Sequence, residues 1–281
     1  MSQVSGDYEK SARQNTEEQI KKVVPRELLP SSGYAPIPGI YDIGWKEWMD
    51  LSYADWVKDM RKTDDEIINE NRQWVLRLAP LIANGEFSLE QLKEWELQSY
   101  LTTDAFPIRI ASHAFQNLNN KEVRDIILRH VSEEVGHAEL KADFLVNAFG
   151  MDREKEVWNG KPLVAGRADM SVEDTTMEAL RKENPILSYA TIPFMERILP
   201  SLNQLMGRAL REHYGFKDDI LGFYDLHTYV DIYHERLGLY LMAKYATTKL
   251  GQELFQKAIE AIRRNIINVN REGYTILHKL K

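Results

Sequence analysis

Seven histidines are spread along a chain of 281 residues that has no cysteine, and three of them sit in patterns suited to metal binding. The first pattern is Glu134-x-x-His137, in the stretch SEEVGHAEL. The second is His227-x-x-x-Asp231-x-x-His234, in DLHTYVDIYHERLG. On a helix, residues three, four and seven apart share a face. The second pattern therefore lines up two imidazoles and a carboxylate, and Gly238 continues the line without a side chain. Two further carboxylates have the setting of ligands. Glu196, in TIPFMERIL, shares its face with Ile192 and Leu199, where an uncompensated charge is costly. Asp104, in YLTTDAFPI, is flanked by Tyr100, Ala105 and Phe106. Oxygen and imidazole donors without sulfur suit iron or manganese, and seven of them suit two ions with bridging carboxylates. Reduced ions with open positions can bind and reduce O2.

These residues need helices at fixed heights. Nearly everything from Trp45 onward has helical period, with helices expected at 46–61, 64–84, 88–117, 120–149, 173–182, 186–213, 217–247 and 250–279. Ser88 with Gln91 three residues later forms a capping-box start. Asn117, Asn119 and Asn120 make a turn, and Gly150 and WNGKPLVAGRAD break the chain again. Asp104 and Glu134 lie about equally far from the asparagine turn, so at about 1.5 Å per residue an antiparallel pair brings them level. Glu196 and Asp231 are similarly balanced about Gly215. The expected architecture is all-α, an up-and-down bundle in a single domain over 46–281. Residues 1–45, rich in Pro, Ser and Gly, form an N-terminal arm.

Composition narrows the chemistry. The absence of cysteine removes disulfides, iron–sulfur clusters, thiolate zinc sites and cysteine nucleophiles. A net charge of −7 argues against nucleic acid as a partner. The apolar runs are too short and too interrupted for a membrane span, and the first residues have no hydrophobic signal core, so a cytoplasmic location is expected. A single helical histidine is ordinarily surface or core filler, the reading given to His113, His130, His213 and His278. Glu133 and Glu139 read as solvated. Arg109, Lys141 and Arg211 could meet a substrate carboxylate, although each reads first as a surface residue.

Over roughly residues 75–250 the order and intervals resemble those of the haem-oxygenase-like diiron oxidases, relatives of pyrroloquinoline-quinone synthase and the thiaminase-like helical proteins. GEFSLEQLKEW resembles the entry into the family's first ligand helix. Asp104 falls where the family usually has a Glu ligand, with Glu96 as the substitute. Glu134 and His137 match the second carboxylate and first histidine, Glu196 the central carboxylate, and His227, Asp231 and His234 the closing motif. The resemblance implies a bundle of about seven core helices, often a homodimer. It also implies two iron ions, O2 as co-substrate, an external reductant, and oxidation of a small amine, amino acid or carboxylic acid. Three alternatives remain at this point: a cofactor-independent quinone-synthase-like oxidase, a ferritin-like diiron protein with four long helices, and a helical scaffold without chemistry.

Overall fold

The computed structural model describes residues 81–82, 84–161, 175–196, 199–228 and 230–279. The expected N-terminal arm, the helix expected at 46–61 and most of that at 64–84 lie outside these residues. Every regular element among the described residues is helical. In chain order they are α1 (Leu89–Gln116), α2 (Lys121–Phe149), a short π-helical turn (Arg153–Val157), α3 (Thr175–Glu183), α4 (Pro185–Met195), α5 (Leu199–Tyr214), a 3-10 turn (Asp218–Ile220), α6 (Gly222–His227), α7 (Val230–Tyr245) and α8 (Lys249–Lys279).

Local chemistry sets the boundaries. The Ser88 hydroxyl accepts from Gln91 N–H at 3.2 Å, and the Gln91 side chain accepts from Ser88 N–H at 3.0 Å, closing the capping box that starts α1. Asn120 caps α2 by accepting from Val123 N–H at 3.1 Å. Gly150 ends α2 in the left-handed conformation at φ 66°, where glycine is least strained. Asn184 caps α4 with Pro185 in its first turn, as the fixed φ of proline favours.

Two expected long helices are divided. The helix expected at 186–213 becomes α4 and α5, because Pro200 has no N–H to continue the ladder of α4 but fits the first turn of α5. The helix expected at 217–247 becomes the 3-10 turn, α6 and α7. At the end of α6 the Thr228 hydroxyl donates to the Tyr224 carbonyl at 2.9 Å, a side-chain bond that competes with the backbone ladder.

Helices α1 and α2 pack against each other as a hairpin, and α4 packs against α1, α3, α7 and α8. Most of α4 is buried, as its sequence PILSYATIPFM requires of a helix that is apolar nearly all round. Of the three apolar clusters among the described residues, two are large. One gathers Val123, Ile127, Leu187, Phe194, Leu241 and Phe255. The other gathers Leu92, Phe144, Leu210, Tyr224 and Leu226. Helix α2 enters both, and between its two apolar stretches its buried face carries His130, Glu134 and His137.

The closest approach of α4 and α7 depends on Gly238. A Cβ there would lie 2.6 Å from the Phe194 backbone nitrogen and 2.9 Å from its Cα, distances that no rotamer change relieves. Gly238→Ala must therefore part the two helices. Its expected cost is at or above the roughly 1–3 kcal/mol usual for overpacking, read as a lower urea midpoint with unchanged m-value.

Candidate metal centre

Helix α2 builds one wall of the site. His130, Glu134, His137 and Lys141 fall four, three and four residues apart, so they form one buried stripe. Glu196, one residue past α4, enters from a second wall with only 4% exposure. His227 closes α6, and Asp231 and His234 lie in the first turns of α7; all three are buried.

The side chains converge on Glu134. Its Oε1 is 3.0 Å from His137 Nδ1, 3.5 Å from His234 Nδ1 and 3.7 Å from His130 Nε2. Glu196 Oε1 is 3.3 Å from His130 Nε2, and Glu196 Oε2 meets His234 Nδ1. Asp231 Oδ1 is 3.8 Å from His234 Nδ1. Two groups have donor atoms close enough to share an ion: His130, Glu134, Glu196 and His234 in one, and Glu134, His137 and His227 in the other. Glu134 belongs to both. Several of the inward atoms, Glu134 Oε1, His130 Nε2, Glu196 Oε1 and Asp231 Oδ2, are buried without a hydrogen bond among the described residues.

Electrostatics reflect this crowding. Burial opposes ionisation of Glu134, but the imidazoles of His137, His234 and His130 outweigh it and hold the carboxyl well below its ordinary range. Burial likewise opposes ionisation of Glu196, and His234 and His130 hold it low. Asp231 goes the other way: burial and then the Glu196 carboxylate push it well above the usual range. Burial disfavours a charged His234, yet Glu196, Glu133 and Glu134 raise it well above its ordinary value. Burial and neighbouring His137 push His227 down to about 3. A dication among these carboxylates would offset their charge.

The family model that matches this chain, over residues 93–265, is described as that of iron-containing redox enzymes. The chain belongs to that family. A crystal structure of a domain of unknown function with a heme oxygenase-like fold, from Shewanella denitrificans OS217, superposes with a TM-score of 0.58. It covers 79% of this chain and 91% of that one at 14% identity. This likeness establishes the haem-oxygenase-like fold. A search of curated protein sequences finds no match.

Iron fits the donor set of this iron-containing redox enzyme. The buried inward atoms are carboxylate oxygens and imidazole nitrogens without sulfur, as first-row divalent ions prefer. Outer partners fix two of the rings. His227 Nδ1 donates to the Phe223 carbonyl at 2.8 Å, leaving Nε2 as its donor atom. His234 Nε2 lies 3.2 Å from Glu133, leaving Nδ1 towards Glu134 and Glu196. Such partners orient metal-binding imidazoles.

Of the seven residues expected from the sequence, Glu134, His137, Glu196, His227, Asp231 and His234 are brought together. Asp104 is not. It is exposed and turned towards Tyr100 on its own helix. Equal height fixes position along an axis and not rotation about it. Its substitute, Glu96, is buried but committed to Lys141 and Tyr224. Two other expectations need correction. Glu133, read as solvated, is 5% exposed and bridges Arg129 and His234. Lys141, read as a surface residue, is 1% exposed. Arg211 is held by Asp218 and Asp225 at the surface. His130, read as filler, is the residue missed. Its signal was present, because it lies four residues before Glu134 on the same stripe.

His113, also buried, stays outside the cluster beside Tyr189, with ring centroids 5.9 Å apart. Burial, helped by Arg181, pushes it down to about 4. A folded pKa below the unfolded value of about 6.5 gives stability that is fully present above pH 6.5 and lost as pH falls towards 4. His113→Leu should flatten that part of the stability profile by about 3 kcal/mol, measured by urea unfolding across the window.

Proposed function

We propose that this iron-containing redox enzyme uses two iron ions to activate O2 and oxidise a small amine, amino acid or carboxylic acid. N-oxygenation, desaturation and oxidative C–C cleavage are the candidate outcomes. The observation that carries the reading is Glu134, buried and shared by two adjacent groups of metal-binding side chains. Glu134, Glu196, His137, His227, Asp231 and His234 would hold the ions. When bound, a reduced pair supplies electrons and open positions for O2, and an external reductant restores it.

The rest is work for the chain's own residues. The apolar clusters on either side keep water from the donors, which strengthens every interaction among them. Phe223 fixes the tautomer of His227 through its carbonyl, and Glu133 orients His234. Burial opposes ionisation of Glu133, but His234 and then Arg129, paired with it at 2.8 Å, hold its carboxyl below the ordinary range.

Two alternatives lose ground. A ferritin-like core has four long helices with one crossover, whereas here α4 is 11 residues and superposition supports a haem-oxygenase-like bundle. A cofactor-independent oxidase of the same fold has no use for so many inward carboxylates and imidazoles. The test is O2 uptake by the purified protein with a reductant and a panel of small amines and carboxylic acids, before and after loading with Fe(II). Iron-dependent uptake raised by one substrate class supports the proposal; uptake indifferent to iron contradicts it.

A further inference from the structure

We propose that His130 is itself a metal ligand, so that this chain completes its second metal position with an imidazole where a carboxylate from α1 would be expected. This rests on the metal-binding reading above and adds a ligand to it. Each ion would then be held by a pair of histidines: His130 with His234, and His137 with His227.

A repeated pattern is the first support. His130-x-x-x-Glu134-x-x-His137 on α2 has the same spacing as His227-x-x-x-Asp231-x-x-His234 on α6 and α7. The two stripes meet head to tail. The rings of His130 and His234 have centroids 4.2 Å apart, and those of His137 and His227 are 4.6 Å apart. The first histidine of each stripe thus faces the last of the other, with Glu134 in reach of both pairs.

The ring's own partners are the second support. His130 Nδ1 lies 2.9 Å from the Tyr189 hydroxyl. Nε2 points inward, 3.3 Å from Glu196 Oε1 and 3.7 Å from Glu134 Oε1, with no hydrogen bond among the described residues. This is the arrangement of His227 and His234, with one nitrogen tied to an outer partner and the other turned to the centre.

The third support is what α1 lacks. Glu94 accepts from Gln98 at 2.8 Å, Glu96 pairs with Lys141, and Asp104 is exposed. None of these reaches the centre, while His130 fills that side of the Glu196–His234 pair.

The experiment is anaerobic Co(II) titration of the full-length protein, followed by ligand-field absorption and by metal equivalents retained after desalting. Wild type should retain two equivalents. His130→Ala should retain one, with the other weakened about 100-fold or more, beyond the roughly 10–100-fold effect of losing an outer partner. His137→Ala should lose the opposite ion and leave a different residual spectrum. If far-UV circular dichroism shows His130→Ala unfolded, His130→Asn takes its place. A His130 variant that binds two ions as tightly as wild type overturns the proposal. Wild type that binds none overturns the metal-binding reading itself, so the two failures are distinguishable.

Discussion

Glu134→Ala should empty both metal positions at once. Each neighbouring histidine serves one group of donors, but Glu134 Oε1 stands within 3.7 Å of His130, His137 and His234 and is common to both groups. Loss of an outer partner alone weakens metal binding by roughly 10–100-fold, and loss of a ligand shared by two ions should exceed that at each. Iron-dependent O2 uptake should disappear with the metal. Glu134→Gln separates charge from packing, since it fills the same space without the anion among the imidazoles. Both variants should show the same loss of iron by elemental analysis, with far-UV circular dichroism reporting an intact helical fold. Two equivalents of iron in either variant would remove Glu134 from its central role.

The largest stability effect is expected at Lys141. It lies one turn beyond His137, buried, and pairs with Glu96, which is 0% exposed. The Tyr224 hydroxyl donates to the same Glu96 oxygen, and the Lys141 ammonium stands 4.5 Å and 4.3 Å from the ring centroids of Phe223 and Tyr224. Lys141→Met strands the Glu96 carboxylate away from water, and breaking such a pair costs about 3–5 kcal/mol. Replacing both partners with methionine should recover most of this, because the stranded charge goes with its partner. Equilibrium urea unfolding of the two single variants and the double variant makes the comparison. The damage should also reach the metal centre. The Phe223 ring packs 4.1 Å from His227, and its carbonyl fixes that imidazole. Lys141→Met should therefore weaken the His137–His227 position more than the other.

The contrast between Asp104 and His130 shows where sequence reasoning reached and where it stopped. Helical period, the Ser88 cap and the asparagine turn located α1 and α2 within a residue or two of their observed ends. Spacing of three, four and seven placed Glu134 with His137, and Asp231 with His234, on shared faces, because those pairs lie within one helix. Asp104 required a judgement about two helices. Chain length gave its height, but the packing of Tyr100, Pro107 and Ile110 set the rotation of α1 and turned Asp104 outward. Burial of Glu133 and Lys141 was hidden for the same reason: charge suggested the surface, and only the partners Arg129, His234, Glu96 and Tyr224 explain the interior. The split between α4 and α5 was legible in Pro200, while the interruption after His227 has no comparable breaker in the sequence.

Anomalous scattering at the iron edge, from crystals grown with Fe(II) under anaerobic conditions, tests the central claim most directly. Two peaks about 3.5–4 Å apart, the usual spacing of paired metals, should lie on either side of the Glu134 carboxylate. One should be within reach of His234 and Glu196, the other within reach of His137 and His227. Density showing no iron among these side chains, or iron bound elsewhere on the protein, would contradict the account.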